Sequence, residues 1–321
     1  MKARSVFVAL AVALLLAAPV AAQTVTLRYN WTQGDVLTYR MVVRTSSTIT
    51  GGSAGGGSFE QTLGQTLKVT VAAVAPDGTA TLRQSIEGVS MEVNGPGGRT
   101  SYDSAKPPPV DADPRLLAMA KTYGGMVGEA ISVTMAPNGA IKRIDGSARI
   151  VDKLMADLPR DPMAGGLAQG IKAMLSEDAL RSSLEQSFSR MPDAVVRIGD
   201  SWTAQHSMGA DAVGKIVGTS TFTLKAIEGT GAAAVARIGV SLALKQEAVP
   251  PAGASMVVKL GDSRGEGELL FNVPKGAVQR NTMRTEMPST MTMRGPNGSP
   301  ETMQSSTKTT MTMELIKQED R

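Results

Sequence analysis

The chain has 321 residues, with 33 basic side chains against 29 acidic ones, a single histidine and no cysteine. Without thiols it can form neither disulfides nor thiolate metal sites, and one histidine cannot build a multi-histidine transition-metal site. The scattered charge excludes the dense basic stripe of a nucleic-acid binder. Aromatic residues make up only 3% while methionine contributes 19 residues, so an aliphatic, methionine-rich core is expected.

Residues 1–22 read as an export signal. Lys2 and Arg4 precede an apolar run from Val6 to Ala18, and Val20-Ala21-Ala22 offers small residues for cleavage before Gln23. The run is shorter than the roughly 20 apolar residues of a membrane span. A periplasmic or secreted chain with no transmembrane segment after signal removal is expected. A first β unit follows over 23–148. Tyr39 to Thr50 reads as a strand and Gly51 to Ser58 as a glycine-serine loop. Phe59, Leu63, Leu67, Val69 and Val71 then share one parity, as in a half-buried antiparallel strand. Pro76-Asp77-Gly78 makes a turn into the next strand, whose apolar phase shifts at Gly88 and so predicts a β-bulge there. Gly95 to Pro114 reads as loop, with Pro114 opening a short helix that stops at Gly124-Gly125. Val127 to Met135 and Ala140 to Ile144 form a hairpin around Pro137-Asn138-Gly139.

The period changes to helical over 149–192, the helical insert. Ile150, Val151, Leu154, Met155 and Leu158 mark one helix, and Leu167, Ile171, Met174 and Leu175 a weaker one. Leu180, Leu184 and Phe188 mark a third, capped by Ser176 and closed before Pro192. A second β unit spans 193–321. It opens at Gly199-Asp200-Ser201-Trp202 and alternates through Phe222, Leu224 and Ala226, then Ile238, Val240, Leu242 and Leu244. Pro250-Pro251 interrupts it, and Leu269 and Phe271 mark the next strand. In the last hairpin Met283, Met287, Met291 and Met293 share one parity, and Met303, Met311, Met313 and Leu315 the matching one, around a turn at 295–300.

The two β units echo each other in order. Gly34-Asp35 pairs with Gly199-Asp200, and the turn at Ala75 to Gly78 with that at Glu228 to Gly231. Pro137-Asn138-Gly139-Ala140-Ile141-Lys142-Arg143 pairs with Pro274-Lys275-Gly276-Ala277-Val278-Gln279-Arg280. The pattern suggests a duplicated β unit.

Chemistry-bearing groups are few. Gly199-Asp200-Ser201 superficially looks like the start of a serine-esterase block. The only histidine, His206, lies five residues on and on the opposite strand face from Ser201. Glu266 and Glu268 point the same way from one strand, and no second carboxylate pair faces them. The glycine clusters precede neither Gly-Lys-Ser/Thr nor a helix, so they are not phosphate loops. No catalytic, cofactor or metal residue is expected. The methionine faces admit two readings, core or the lining of an apolar ligand site. An outer-membrane barrel would carry aromatic girdles that this chain lacks.

Leu27-Arg28-Tyr29-Asn30-Trp31, Gly34-Asp35, Tyr39-Arg40, Tyr102-Asp103-Ser104, Pro137-Asn138-Gly139 and Gly199-Asp200-Ser201-Trp202 together resemble an uncharacterised family of secreted bacterial proteins. That family has no established activity to carry over. In layout the chain is also similar to periplasmic lipoprotein carriers, whose incomplete barrel and helical lid hold acyl chains, although this chain is duplicated and larger. The expected fold is α+β and β-rich, a duplicated antiparallel sheet or half-barrel with interposed amphipathic helices. The expected role is a non-enzymatic exported protein holding an apolar or lipid-like ligand between sheet and helices, lined by Met283, Met287, Met291, Met311, Met313, Leu180, Leu184 and Phe188. The alternatives are an envelope scaffold that docks a partner protein and, further off, a carboxylate-dependent hydrolase.

Overall fold

The computed structural model describes residues 24–52, 56–106, 108–109, 111–156, 162–210, 214–248, 256–294 and 299–319. The expected signal, the Pro250-Pro251 break and most of the last hairpin's turn lie outside them. The strands are β1 (Thr24–Val25), β2 (Val36–Gly51), β3 (Gly57–Val74), β4 (Ala80–Gly95), β5 (Gly98–Asp103), β6 (Ala130–Met135), β7 (Ile141–Asp145) and β8 (Val196–Arg197). They continue with β9 (Ser201–Ala210), β10 (Gly214–Glu228), β11 (Val235–Ala248), β12 (Met256–Leu260), β13 (Ser263–Asn272), β14 (Ala277–Arg294) and β15 (Pro300–Glu319). The helices are α1 (Pro114–Met119), extended by a π turn to Gly124, α2 (Ser147–Ala156), α3 (Pro162–Met174) and α4 (Glu177–Phe188).

Among the described residues, 13 strands form one antiparallel sheet ordered β7-β6-β4-β3-β2-β15-β14-β13-β11-β10-β9, with β5 and β12 added beside β4 and β14. The architecture is α+β and β-rich, and the sheet does not close on itself. Its two outermost strands, β7 and β9, both touch α4. A sheet whose opposite edges meet one helix has curled most of the way round, as strongly twisted sheets of this size do. Tyr39, Leu67, Leu82, Phe222, Ile238, Leu269 and Met313 fill its concave side, and Ile150, Leu154, Ile171, Leu184 and Phe188 of the helices pack onto them in one core.

The alternation expected for the strands is present in register. In β2, Leu37 and Tyr39 are buried while Arg40 and Arg44 are exposed. Met311 faces Met283 across the last hairpin, and Met303 faces Met291. The β-bulge lies beside Gly88, where the pairing slips between Thr66 and Leu67. Ser176 caps α4, its Oγ accepting from the Ala179 amide at 3.3 Å. Two stretches differ from expectation. Residues 98–103, expected as loop, pair with Ser90–Gly95 as β5 and bury Tyr102. The loop expected over 51–58 is shorter, because strand β3 begins at Gly57. Both are strands with little apolar alternation, ordered by the long partner beside them rather than by their own pattern.

The paired motifs occupy matching positions. The Gly34 amide donates to Val71 O and the Val71 amide to Asp35 O. The Gly199 amide donates to Leu224 O and the Leu224 amide to Asp200 O. The two Pro-x-Gly turns meet on the same stretch of chain: the Tyr29 amide donates to Pro137 O, while the Asn30 amide donates to Gly276 O and its Nδ2 to Pro274 O. Residues 27–31 thus cross one end of the curled sheet. Leu27 and Tyr29 are buried there, and Tyr29 stacks on Trp31 and meets Phe188 and Phe271 edge-on.

Gly276 tests that crossing. It has φ +58°, and a Cβ there would collide with Asn30 N and Arg28 O. Gly128 has φ +81° with open space around its Cβ position. Gly276→Val is expected to cost about 3 kcal/mol in urea unfolding, because it adds a backbone clash to a left-handed φ. Gly128→Ala should cost only about 1–2 kcal/mol from φ alone. Equal losses at the two positions would count against the crossing.

Candidate functional site

The concave face and the helices do not fill the space between them. A cavity of about 410 Å³ lies over β2, β3 and β4, with Met41, Val43, Leu63, Leu67 and Ile86 as its floor. Met126 and Ile131 form one side, and Ile150, Leu175, Leu180 and Leu184 form the helical roof. The strand residues reach it because they share the inward faces of β2, β3 and β4; Ile150 lies on the inward face of α2, Leu180 and Leu184 on that of α4, and Leu175 just beyond the end of α3. Met174, at the end of α3, also lines it and is 40% exposed, so the cavity opens beside that helix end. Its volume falls within the roughly 300–1,000 Å³ of ligand pockets.

Polar groups are sparse along this wall. The charged one is Glu129, whose side chain is 12% exposed. It accepts from Lys153 Nζ and Arg149 Nη1, both at 2.7 Å, which pins α2 to the start of β6. The hydrogen bond from Lys153, helped by the Arg149 guanidinium, holds its carboxyl below the usual carboxylate range against the opposing effect of burial.

On the other side of α4 lies a much smaller cavity of about 60 Å³. Its wall is mixed, with Phe222, Val240, Met283 and Met311 beside Glu185, Gln186, His206, Ser220 and Asn281. Asn281 is 2% exposed, and its Nδ2 donates to Gln186 O at 2.7 Å and Ser187 O at 3.2 Å. Its Oδ1 and His206 Nε2 are buried without partners. Burial holds the His206 imidazole below its ordinary pKa and raises the Glu185 carboxyl.

The residues expected to line an apolar site fall in four places. Leu180 and Leu184 line the large cavity, and Met283 and Met311 the small one. Met313 and Phe188 are buried in the core at 1% and 3% exposure. Met287 and Met291 lie farther along β14, half-buried. The remaining candidates are apart from both cavities. Ser201 is exposed and shares a hydrogen bond with Thr223 at 2.8 Å, on the face opposite His206. Glu268 accepts from Arg237 at 2.8 Å on the convex face. Asn281 was not anticipated, yet it leaves a signal: it is an amide on the same parity as Met283, Thr285, Met287, Ser289, Met291 and Met293, which are all apolar or hydroxylated.

Comparison with known proteins places the chain in a family. Residues 77–263 match the profile of the family of unknown function DUF6263. The chain belongs to DUF6263. The match covers β4 to the start of β13 and so includes all four helices and His206, while residues 27–40 precede it. No curated protein matches. Among solved structures, lipovitellin, described for its lipid–protein interactions, is similar at 10% identity and a TM-score of 0.44 over 90% of this chain. The chain spans about a quarter (26%) of that lipovitellin chain. DynF, from the dynemicin biosynthesis pathway of Micromonospora chersina, is similar at 8% identity and a TM-score of 0.19, covering 91% of this chain and 85% of its own. No helix among the described residues is long and apolar enough to cross a membrane.

The Glu129 cluster yields a pH prediction. A carboxylate whose folded pKa is depressed contributes stability that is present above its unfolded value, near pH 4.5, and lost as pH falls through the lower folded value. Glu129→Gln is therefore expected to lower the melting temperature at pH 7. The gap from the parent should shrink below about pH 4.5 and close at lower pH. A gap that stays constant down to pH 2 would show that the charge contributes nothing.

Proposed function

We propose that this chain is a non-enzymatic, exported protein that holds an apolar, lipid-like ligand between its curled sheet and its helices. One observation carries the reading: the cavity over β2–β4, walled by Met41, Leu63, Ile86, Ile131 and Leu180 and open beside Met174. Empty apolar space of this size is costly to a folded protein, because the side chains around it lose transfer free energy and dispersion contacts. A ligand chain restores both. Methionines in the wall suit an occupant of variable shape, since an unbranched thioether repacks at little cost. The poverty of positioned catalytic groups supports a binding role over a hydrolytic one, and the basic start, apolar run and small residues over 2–22 support export.

Native mass spectrometry and solvent extraction of the purified protein test this reading. An apolar molecule is expected to co-purify, and N-phenyl-1-naphthylamine to fluoresce on binding the delipidated chain. Leu63→Trp and Leu180→Trp, which intrude on the cavity from floor and roof, should each weaken dye binding at least tenfold while the protein stays folded. A chain that carries no lipid, binds no dye and is simply stabilised by both tryptophans would refute the proposal, since the space would then be a packing defect.

A further inference from the structure

We infer that the far end of the concave face binds one soft monovalent cation, Cu(I), through the thioethers of Met291, Met293 and Met303, with the Glu301 carboxylate beside them. The inference stands apart from the apolar-ligand reading and uses none of the residues that line the cavity over β2–β4.

Strand register brings the groups together. Met291 pairs directly with Met303 across β14 and β15, and Met293 with Glu301. Residues paired in this way share a face of the sheet, with Cβ atoms roughly 4.5–5.5 Å apart. Two residues along a strand return to the same face about 7 Å farther on. The two pairs therefore make one patch of four side chains. On its other flank Met303 pairs with Gly51 of β2, which has no side chain to cover it. Met303 leans over the next residue, Gly52: a Cβ there would lie 3.1 Å from Met303 Sδ and 3.8 Å from Glu301 Oε2. Thioether and carboxylate thus approach one point, within about 7 Å of each other.

These methionines are not an extension of the core. On β14 and β15 the core reaches Met283 and Met313, and Met291, Met293 and Met303 lie outside it. Hydroxyl groups intervene on the same face. Thr285 pairs with Thr309 and Thr309 with Thr45, the last two sharing a hydrogen bond at 3.3 Å. Ser289 pairs with Ser305, whose hydroxyl meets that of Ser47 at 3.3 Å. Residues kept only for packing would not be set off from the core by such groups. All four side chains of the patch are half-buried, so an ion can reach them from solvent.

The chemistry of the donors selects the ion. Thioether sulfur is a soft, neutral ligand that suits Cu(I), whereas calcium and magnesium take oxygen ligands. Three neutral sulfurs leave the charge of the cation unbalanced, and Glu301 places an opposite charge at the same patch. Methionine is unbranched, with three rotatable bonds, so the three sulfurs can close on one ion without moving the strands. The chain has no cysteine, so no thiolate competes for the ion and none is lost to disulfide formation.

Two probes test the inference on the purified full chain: Ag(I) in chloride-free buffer, and Cu(I) kept reduced by ascorbate and competed with bathocuproine disulfonate. One ion per chain is expected for each. Met291→Leu and Met303→Leu keep an apolar side chain of similar volume. Each should weaken binding at least tenfold, and the two together should abolish it. Met287→Leu, about 14 Å from Met291 on the same face, should leave it unchanged. In a chain carrying methyl-13C methionine, Ag(I) should shift three methyl resonances, those that disappear in the leucine variants at 291, 293 and 303. This readout holds even if one variant folds poorly, because the shifts are measured on the parent. Absence of binding, or shifts spread over the other methionines, overturns the inference. So does uptake that survives the double variant, or Cu(II) bound more tightly than Cu(I), which would put the ion on nitrogen or oxygen ligands.

Discussion

The docking of α4 between the two open edges of the sheet is the contact on which the rest of the molecule depends. Eleven strands in one path leave two unpaired edges, and exposed edges invite pairing with other chains. Here a helix takes the place of the missing strands. Arg181 of α4 donates to Ile141 O of β7 at 2.6 Å, and just beyond the helix the Met191 amide donates to Asn138 O. On the other side the Trp202 indole of β9 donates to Arg190 O at 2.7 Å. These contacts anchor the segment around α4 to backbone carbonyls at the β7 edge and to the Trp202 side chain at the β9 edge. The apolar stripe of Leu180, Leu184 and Phe188 meanwhile points into the concavity. One helix therefore sets how far the sheet curls, and so how much space remains on each side of it.

The crossing segment at residues 27–31 does for the end of the sheet what α4 does for its edges. It joins the turn after β6 to the turn after β13, elements more than a hundred residues apart in sequence, through hydrogen bonds from Tyr29 and Asn30. The aromatic residues gather at this place. Tyr29 contacts Trp31, Phe188 and Phe271, and Tyr39 contacts Phe188. Ser189, at the end of α4, takes a φ of 51°, unusual for a residue with a side chain, and its carbonyl accepts from the Tyr29 hydroxyl at 3.2 Å. Its uncommon backbone is held by the packing around it, as such residues generally are.

Much of this was legible in the order of residues. Period-two alternation identified β2, β3, β11 and the β14–β15 hairpin because one face of each is buried and the other solvated. Helical spacing with a serine cap and a following proline identified α4. The strand order was not legible, because alternation says that a strand has an apolar face and not which neighbour it pairs with. Of the large cavity's lining, Leu180 and Leu184 were legible from their helical spacing, while the strand residues were hidden. Leu63, Ile86 and Ile131 read as ordinary core residues, and only the position of the helical roof leaves space above them. The small cavity was hidden for a different reason: Asn281 and His206 are 75 residues apart on strands with β10, β11 and β13 between them. Parity gave a hint of each, since both carry a polar group on the inward face, but curvature alone brings them to one space.

The distribution of large side chains explains why space remains where it does. Curling a sheet fixes a volume that side chains must fill, and aromatic rings fill it most efficiently per residue. This chain places Tyr29, Trp31, Tyr39, Phe188 and Phe271 together at the end closed by residues 27–31, and Trp202 stacked on Phe222 under β9 and β10. The stretch over β2 to β4 receives leucine, isoleucine, valine and methionine instead, under a helical roof that is itself aliphatic. The aromatic residues are concentrated where the fold is tied together, and the wall over β2 to β4 is left to aliphatic side chains and methionine, so rigid packing lies at one end and adaptable packing at the other.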